Sequence, residues 1–215
     1  MIRVTQAPEP ASFDAQVRIP VAAFLAAHPR PTRIHWTGND YWRLAHTDLY
    51  AAYRGICSYC ASWTPRSPRA GLDSTSVDHF TPRIHAPNLA YEWANMRLCR
   101  RRLNRRKNSF QDVQDPFTVG SRWFRLDFTS FLIRPAPSLA PADAAQVTST
   151  ITRLGLNSDR DYVDERIAVI RMYCQGHLTR NQVRARYPFI HAEMRSQNFD
   201  LNFLTALQAH FARYP

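Results

Sequence analysis

The stretch between residues 75 and 108 leaves few options for the fold. Residues 75–80, Thr-Ser-Val-Asp-His-Phe, are rich in strand-forming side chains, and the following Pro82 cannot continue a ladder. A loop with Pro82, Pro87 and Asn88 leads to a second short strand candidate at residues 96–99, and residues 100–108 suit a helix. Strand, long loop, strand and helix make a small ββα unit. Neighbouring residues on a strand point to opposite faces, so Asp78 and His79 can serve one site only where the strand ends or twists. The Phe80-Thr81-Pro82 sequence supplies such an end.

The flanks read as scaffold. Residues 1–31 carry several prolines and suggest an extended arm with a short helix near residues 21–27. Trp42, Ala45, Leu49, Ala52 and Tyr53 recur at helical spacing and lead into Gly55 and the turn Cys57-Ser58-Tyr59-Cys60. Residues 123–133 alternate around Thr129-Ser130, as in a β-hairpin. Val147, Ile151 and Leu154 form an apolar stripe that stops at Gly155. Ser158 is placed to cap the next helix, on which Val163, Ile167, Ile170 and Cys174 share a face that stops at Gly176. A last helical region spans residues 181–210, interrupted near Pro188. The expected class is α+β: a ββα core in a mainly helical scaffold with a small β-hairpin. Residues 1–54 form the arm and first helix, 55–110 the core, and 111–215 a hairpin and helical region packed on the core as one domain.

Charge narrows the partner. The net charge of +11 points to a polyanion, and of 28 basic residues the only Lys is Lys107. Seven basic residues and no acid lie between Arg97 and Lys107, and phosphate neutralisation accounts for that cluster better than a solvated helix face does. No run of about 18 apolar residues crosses a bilayer, and the N-terminus lacks the apolar core of a secretory signal. A cytoplasmic protein with no membrane partner is therefore expected, in which Cys57, Cys60, Cys99 and Cys174 are thiols, metal ligands or a redox pair. His85 reads as an exposed loop residue, and Tyr91 and Trp93 as anchors of the loop to the core.

Hydrolysis of a phosphodiester needs an activated water, a cation on the phosphate and help for the leaving oxygen. A His serves as base near neutral pH, and an adjacent carboxylate can hold a divalent cation. Asp78-His79, Pro82, Asn95 and Asn104-Arg105-Arg106-Lys107 supply these groups, with Asn95 and Asn104 nine positions apart. In this the chain resembles the HNH (ββα-metal) nuclease family, over about a quarter of its length. The resemblance implies that His79 is the general base and that Asp78 and Asn104 hold Mg²⁺ or Mn²⁺. It implies that Asn95 fixes the His79 ring by a hydrogen bond. Arg83, Arg100, Arg101, Arg102, Arg105, Arg106 and Lys107 would then contact the DNA backbone.

The layout is also similar to stand-alone bacterial HNH proteins of anti-phage systems, such as Septu-type nuclease subunits. The helix before the Cys pair and the Thr-Ile-x-x-Leu-Gly-Leu-Asn stretch at residues 150–157 carry that likeness. It implies antiviral defence and a protein partner such as an ATPase subunit. Many HNH proteins hold a structural zinc on two Cys-x-x-Cys pairs. Here the second pair falls on Arg100 and Leu103, with Cys99 one position out, so a zinc on Cys57, Cys60 and Cys99 lacks a fourth ligand. Packing is the expected substitute. Three other readings stay open: a nucleic-acid-binding module without turnover, a ribonuclease of the same architecture, and a toxin silent until a partner arrives.

Overall fold

The computed structural model describes residues 1–199 together with Thr205, Leu207 and Ala209. The helix expected to run to residue 210 therefore lies, beyond residue 199 and apart from those three, outside the described residues. The architecture is mixed α+β. Strand β1 (Thr75–His79) pairs antiparallel with β2 (Met96–Arg100), Thr75 opposite Arg100 and His79 opposite Met96. Helix α3 (Arg101–Lys107) follows β2 without a break and packs back onto both strands. A helical turn at Tyr41–Leu44 runs into α2 (Ala45–Ala52), which covers the opposite face of the sheet.

Strand alternation sorts the side chains between two apolar centres. Val77, Leu98 and Met96 face the first, built from α2 and the N-terminal arm with Phe13, Trp36, Trp42 and Tyr91. Ser76, Asp78 and Cys99 point the other way, toward α3, where Cys99 and Leu103 join the second centre. All five residues of β2 are buried, as expected of a strand covered on both faces. The short helix α1 (Ala22–Ala27) closes the arm close to where the sequence places it.

The second centre is completed by a hairpin of β3 (Phe124–Leu126) and β4 (Ile133–Pro135) and by four helices. These are α4 (Pro141–Leu154), α5 (Arg160–Cys174), α6 (Arg180–Arg186) and α7 (Pro188–Ser196). Gly155 ends α4 in the left-handed region at φ 66°, which favours glycine. A Cβ there would also displace the flexible end of the Arg106 side chain, a small cost beside the backbone strain. The cap of α5 is Asp159, whose carboxylate accepts from the Asp161 amide, and not Ser158. Thr179 and Gln182 cap α6 reciprocally, and Pro188 opens α7 at a position where its missing N–H costs nothing. Among the described residues no helix is long and apolar enough to cross a membrane.

Candidate active site

The last residues of β1 and the last turn of α3 meet in a buried polar cluster. Asp78 and Lys107 are both shut off from solvent. Lys107 Nζ donates to Asp78 Oδ1 at 3.2 Å and to the His79 carbonyl at 2.8 Å. The Tyr59 hydroxyl donates to Asp78 Oδ2 at 2.6 Å. Burial raises the Asp78 carboxyl above its usual range, and the Lys107 ammonium and Tyr59 hydroxyl oppose that shift. Asn104 lies one turn before Lys107, and its Nδ2 donates to the Val77 carbonyl (2.9 Å) and to Ser76 Oγ (3.2 Å), tying helix to strand.

His79 points away from this cluster. Its ring meets the edge of Trp42 at 5.1 Å between centroids, and Nε2 lies 2.9 Å from the Ala90 carbonyl oxygen. A carbonyl only accepts, so the ring proton sits on Nε2 and the lone pair is on Nδ1. Nδ1 has no hydrogen-bond partner among the described residues. Burial first, and then the fields of Arg83 and Lys107, push the ring from its ordinary 6.5 down to about 4, although the Ala90 bond works against them. At neutral pH the ring is therefore an uncharged base.

Arg83 supplies positive charge beside it. Its guanidinium lies over Trp42 at 4.7 Å and Trp36 at 5.0 Å. It has no carboxylate within ion-pair distance among the described residues. Burial lowers its pKa, an indication that the charge is held under some electrostatic cost. His85, in the same loop, is exposed and bonds to the Ser109 carbonyl at 3.1 Å.

Several expected roles change on this geometry. Asn95 does not touch the His79 ring. Its Oδ1 accepts from the Thr81 amide at 2.8 Å, and its Nδ2 donates to the Thr81 and Leu89 carbonyls at 3.0 Å each, so it braces the loop that carries Ala90. A buried carboxamide uses its donors and acceptor on whatever backbone groups the loop leaves unpaired, and here those groups lie nearer than the ring. Lys107 cannot contact phosphate, because its ammonium is enclosed between Asp78 and the His79 carbonyl.

Most of the arginine cluster is also turned inward. Arg100 is buried and pairs with Glu165 at 2.9 Å. Arg102 reaches Asp161 at 3.0 Å and both Asp73 and Asp159 at 3.5 Å. Arg106 pairs with Asp159 at 2.9 Å. Arg97 forms a two-pronged bond to Asp115 at 3.0 and 2.8 Å. Only Arg101 and Arg105 stay exposed with no acid partner among the described residues.

As packed, the cluster does not fit a divalent cation. Both Asp78 oxygens are engaged, and Asn104 offers only its Oδ1. A cation could reach Asp78 only by displacing the ammonium of Lys107. Nor do Cys57, Cys60 and Cys99 assemble a zinc site: among the described residues no three His, Cys, Asp or Glu side chains are placed to hold a metal. The Cys57 sulfur instead accepts from the Arg100 amide at 3.3 Å, and the Cys99 sulfur lies 3.7 Å from Ser76 Oγ. The cysteine turn packs into the second apolar centre.

Two participants escaped the sequence reading. Tyr59 sits inside the Cys-x-x-Cys turn and Trp42 on an apolar helix face, and neither position signals a partner at Asp78 or His79. The Ala90 carbonyl is a backbone group and carries no side-chain signal at all. Compared with models of known protein families and with curated proteins, the chain gives no match.

Proposed function

We propose that this chain cleaves phosphodiester bonds in nucleic acid, DNA first, as a nuclease of the HNH (ββα) type with His79 as general base. The observation that carries the proposal is the His79 ring: neutral, with its proton fixed on Nε2 by Ala90 and its Nδ1 lone pair uncommitted beside Arg83. Such a ring can take a proton from a water while the guanidinium holds the phosphate that the water attacks. Asn95 serves as a positioning residue, acting through the loop that presents the Ala90 carbonyl. The Mg²⁺ or Mn²⁺ expected on Asp78 and Asn104 does not fit beside Lys107, so in this arrangement charge neutralisation at Asp78 falls to the ammonium.

The test is incubation of the protein with plasmid DNA and with RNA in Mg²⁺, Mn²⁺ or EDTA, alongside His79→Ala. Cleavage by the wild type, reduced at least a hundredfold in the variant, is the expected outcome; equal rates would remove His79 from the chemistry. The pH profile is a second check. A base must be deprotonated to act, so a ring at about 4 gives a rate that is flat from pH 6 to 8 and falls as pH drops through about 4. Stability follows the same sign. The unfolded ring binds a proton below 6.5 and the folded one does not, so folding weakens as pH falls from 6.5 to about 4. A rate that halves near pH 6.5 would show a solvated histidine and contradict the assignment.

A second reading has a specific observation behind it. The closed Asp78–Lys107–Tyr59 cluster is what a nucleic-acid-binding module without turnover would retain of this layout. That module would bind nucleic acid and leave plasmid and RNA intact under all three metal conditions. A protein partner such as an ATPase subunit, and a role in antiviral defence, rest on the likeness to Septu-type subunits alone.

A further inference from the structure

We propose that the exposed face of α6 and α7 is a second nucleic-acid contact surface that grips the phosphate backbone of a duplex. The inference rests on the reading of the chain as a nucleic-acid-binding protein. Arg180 and Arg184 lie four residues apart on α6, and His191 and Arg195 lie four apart on α7, which packs directly against α6. Both pairs bring like or potentially like charges together along one helix face, a placement that disfavours an isolated helix. The arginine fields converge on His191: after burial, Arg180, Arg195 and Arg184 in that order hold its ring below 6.5.

None of the three arginines has an acid partner among the described residues. The one acid within the two helices, Glu193, is buried and committed to Arg125 and the Leu126 amide. A concentration of guanidinium groups without carboxylates is what backbone phosphates neutralise, often through two parallel N–H bonds. The chemistry favours nucleic acid over an acidic protein or a membrane surface. A protein interface or an inserted membrane surface is usually anchored by apolar side chains, and none of the exposed large hydrophobic residues lies on α6 or α7.

The face is also tied to the segment that carries the cysteine turn. The Arg186 guanidinium lies over Trp63 at 5.0 Å, and the Trp63 amide donates to the Arg186 carbonyl at 2.7 Å. Trp63 lies three residues beyond the Cys57–Cys60 turn, whose Tyr59 holds Asp78. A duplex bound on α6 and α7 would thereby lie on a surface joined through Trp63 to the chain segment that supplies Tyr59.

The experiment is the salt dependence of binding to a mixed-sequence duplex of about 30 base pairs in EDTA, for the wild type and for Arg180→Gln/Arg184→Gln/Arg195→Gln. Each lost phosphate contact lowers the slope of log K against log salt by about 0.9, so the triple variant should lose about 2 to 3 units of slope. Its thermal unfolding should match the wild type, because no folded-state partner is removed. An unchanged slope overturns the proposal. So does a variant that loses binding to polyglutamate while keeping its slope on DNA, which would assign the face to an acidic protein. Turnover plays no part in this measurement. A wild type that does not cleave on its own, with the slope still lowered in the variant, would count against a self-sufficient nuclease and leave this surface standing.

Discussion

The chain has two arginine-rich helical regions, and they treat their charge in opposite ways. Around α3 the fold brings in Asp73, Asp115, Asp159, Asp161 and Glu165, and five of the seven basic residues are buried, ion-paired or both. On α6 and α7, Arg180, Arg184 and Arg195 are exposed and unpaired among the described residues. Charge density along the sequence is far higher at α3, yet only Arg101 and Arg105 remain uncompensated there, against all three of these arginines on α6 and α7. What separates them is the supply of acids: a local run of arginines says nothing about carboxylates delivered from 50 or more residues away. Arg106 meets Asp159, and Arg100 meets Glu165, only because α5 packs beside α3.

The contrast can be broken at its deepest point by Lys107→Ala. If the α3 charges are structural, removing this ammonium leaves a buried carboxylate without its counter-ion, at a cost of about 3–5 kcal/mol in urea unfolding. Adding Asp78→Asn to that variant should return part of the loss. A change below about 1 kcal/mol would mean that Lys107 is not the partner of Asp78 in solution.

Arg100→Ala should come next. It removes charge-assisted hydrogen bonds to Glu165 and is expected to cost about 2 kcal/mol, with no change in the salt slope of DNA binding. A lowered slope with intact stability would return Arg100 to the nucleic-acid interface. The smallest stability effect belongs to Arg101→Gln/Arg105→Gln, within about 0.5 kcal/mol of the wild type. There the sensitive readout is the salt slope, expected to fall by about 2 if both residues meet phosphate. No change in slope would leave α6 and α7 as the main electrostatic grip.

Much of the local structure was legible because it follows from short-range rules. Pro82 follows the end of β1, the short strand candidate at residues 96–99 marks β2, and Gly155 and Gly176 stop α4 and α5. The side-chain roles were harder, since each depends on what the chain delivers from elsewhere. Asn95 was expected to fix the His79 ring, and the sequence does not reveal that the Thr81 and Leu89 backbone groups would claim its amide instead. The Thr150 and Asn157 stretch, noted for its likeness, is a structural clamp: Thr150 Oγ1 accepts from the Gln114 amide, and Asn157 brackets both backbone groups of Ile133. Lys107 was singled out as the only lysine, and its inward position follows from the strand register that puts Asp78 on the α3 side.

The two-sided burial of β2 has a practical consequence for anyone seeking a minimal fragment. Residues 55–110 contain every group of the β1–α3 cluster, yet cutting them out removes both walls of the sheet at once. Met96, Leu98, Tyr91 and Trp93 would lose the N-terminal arm, and Cys99 and Leu103 would lose α4 and α5. The excised piece would expose an apolar slab on each side of a two-stranded ribbon, and aggregation would be its expected fate. The sheet thus works as a shared wall: the arm, whose Trp36 and Trp42 pack against Arg83 and His79, and the C-terminal helices together set the shortest length at which it can be studied.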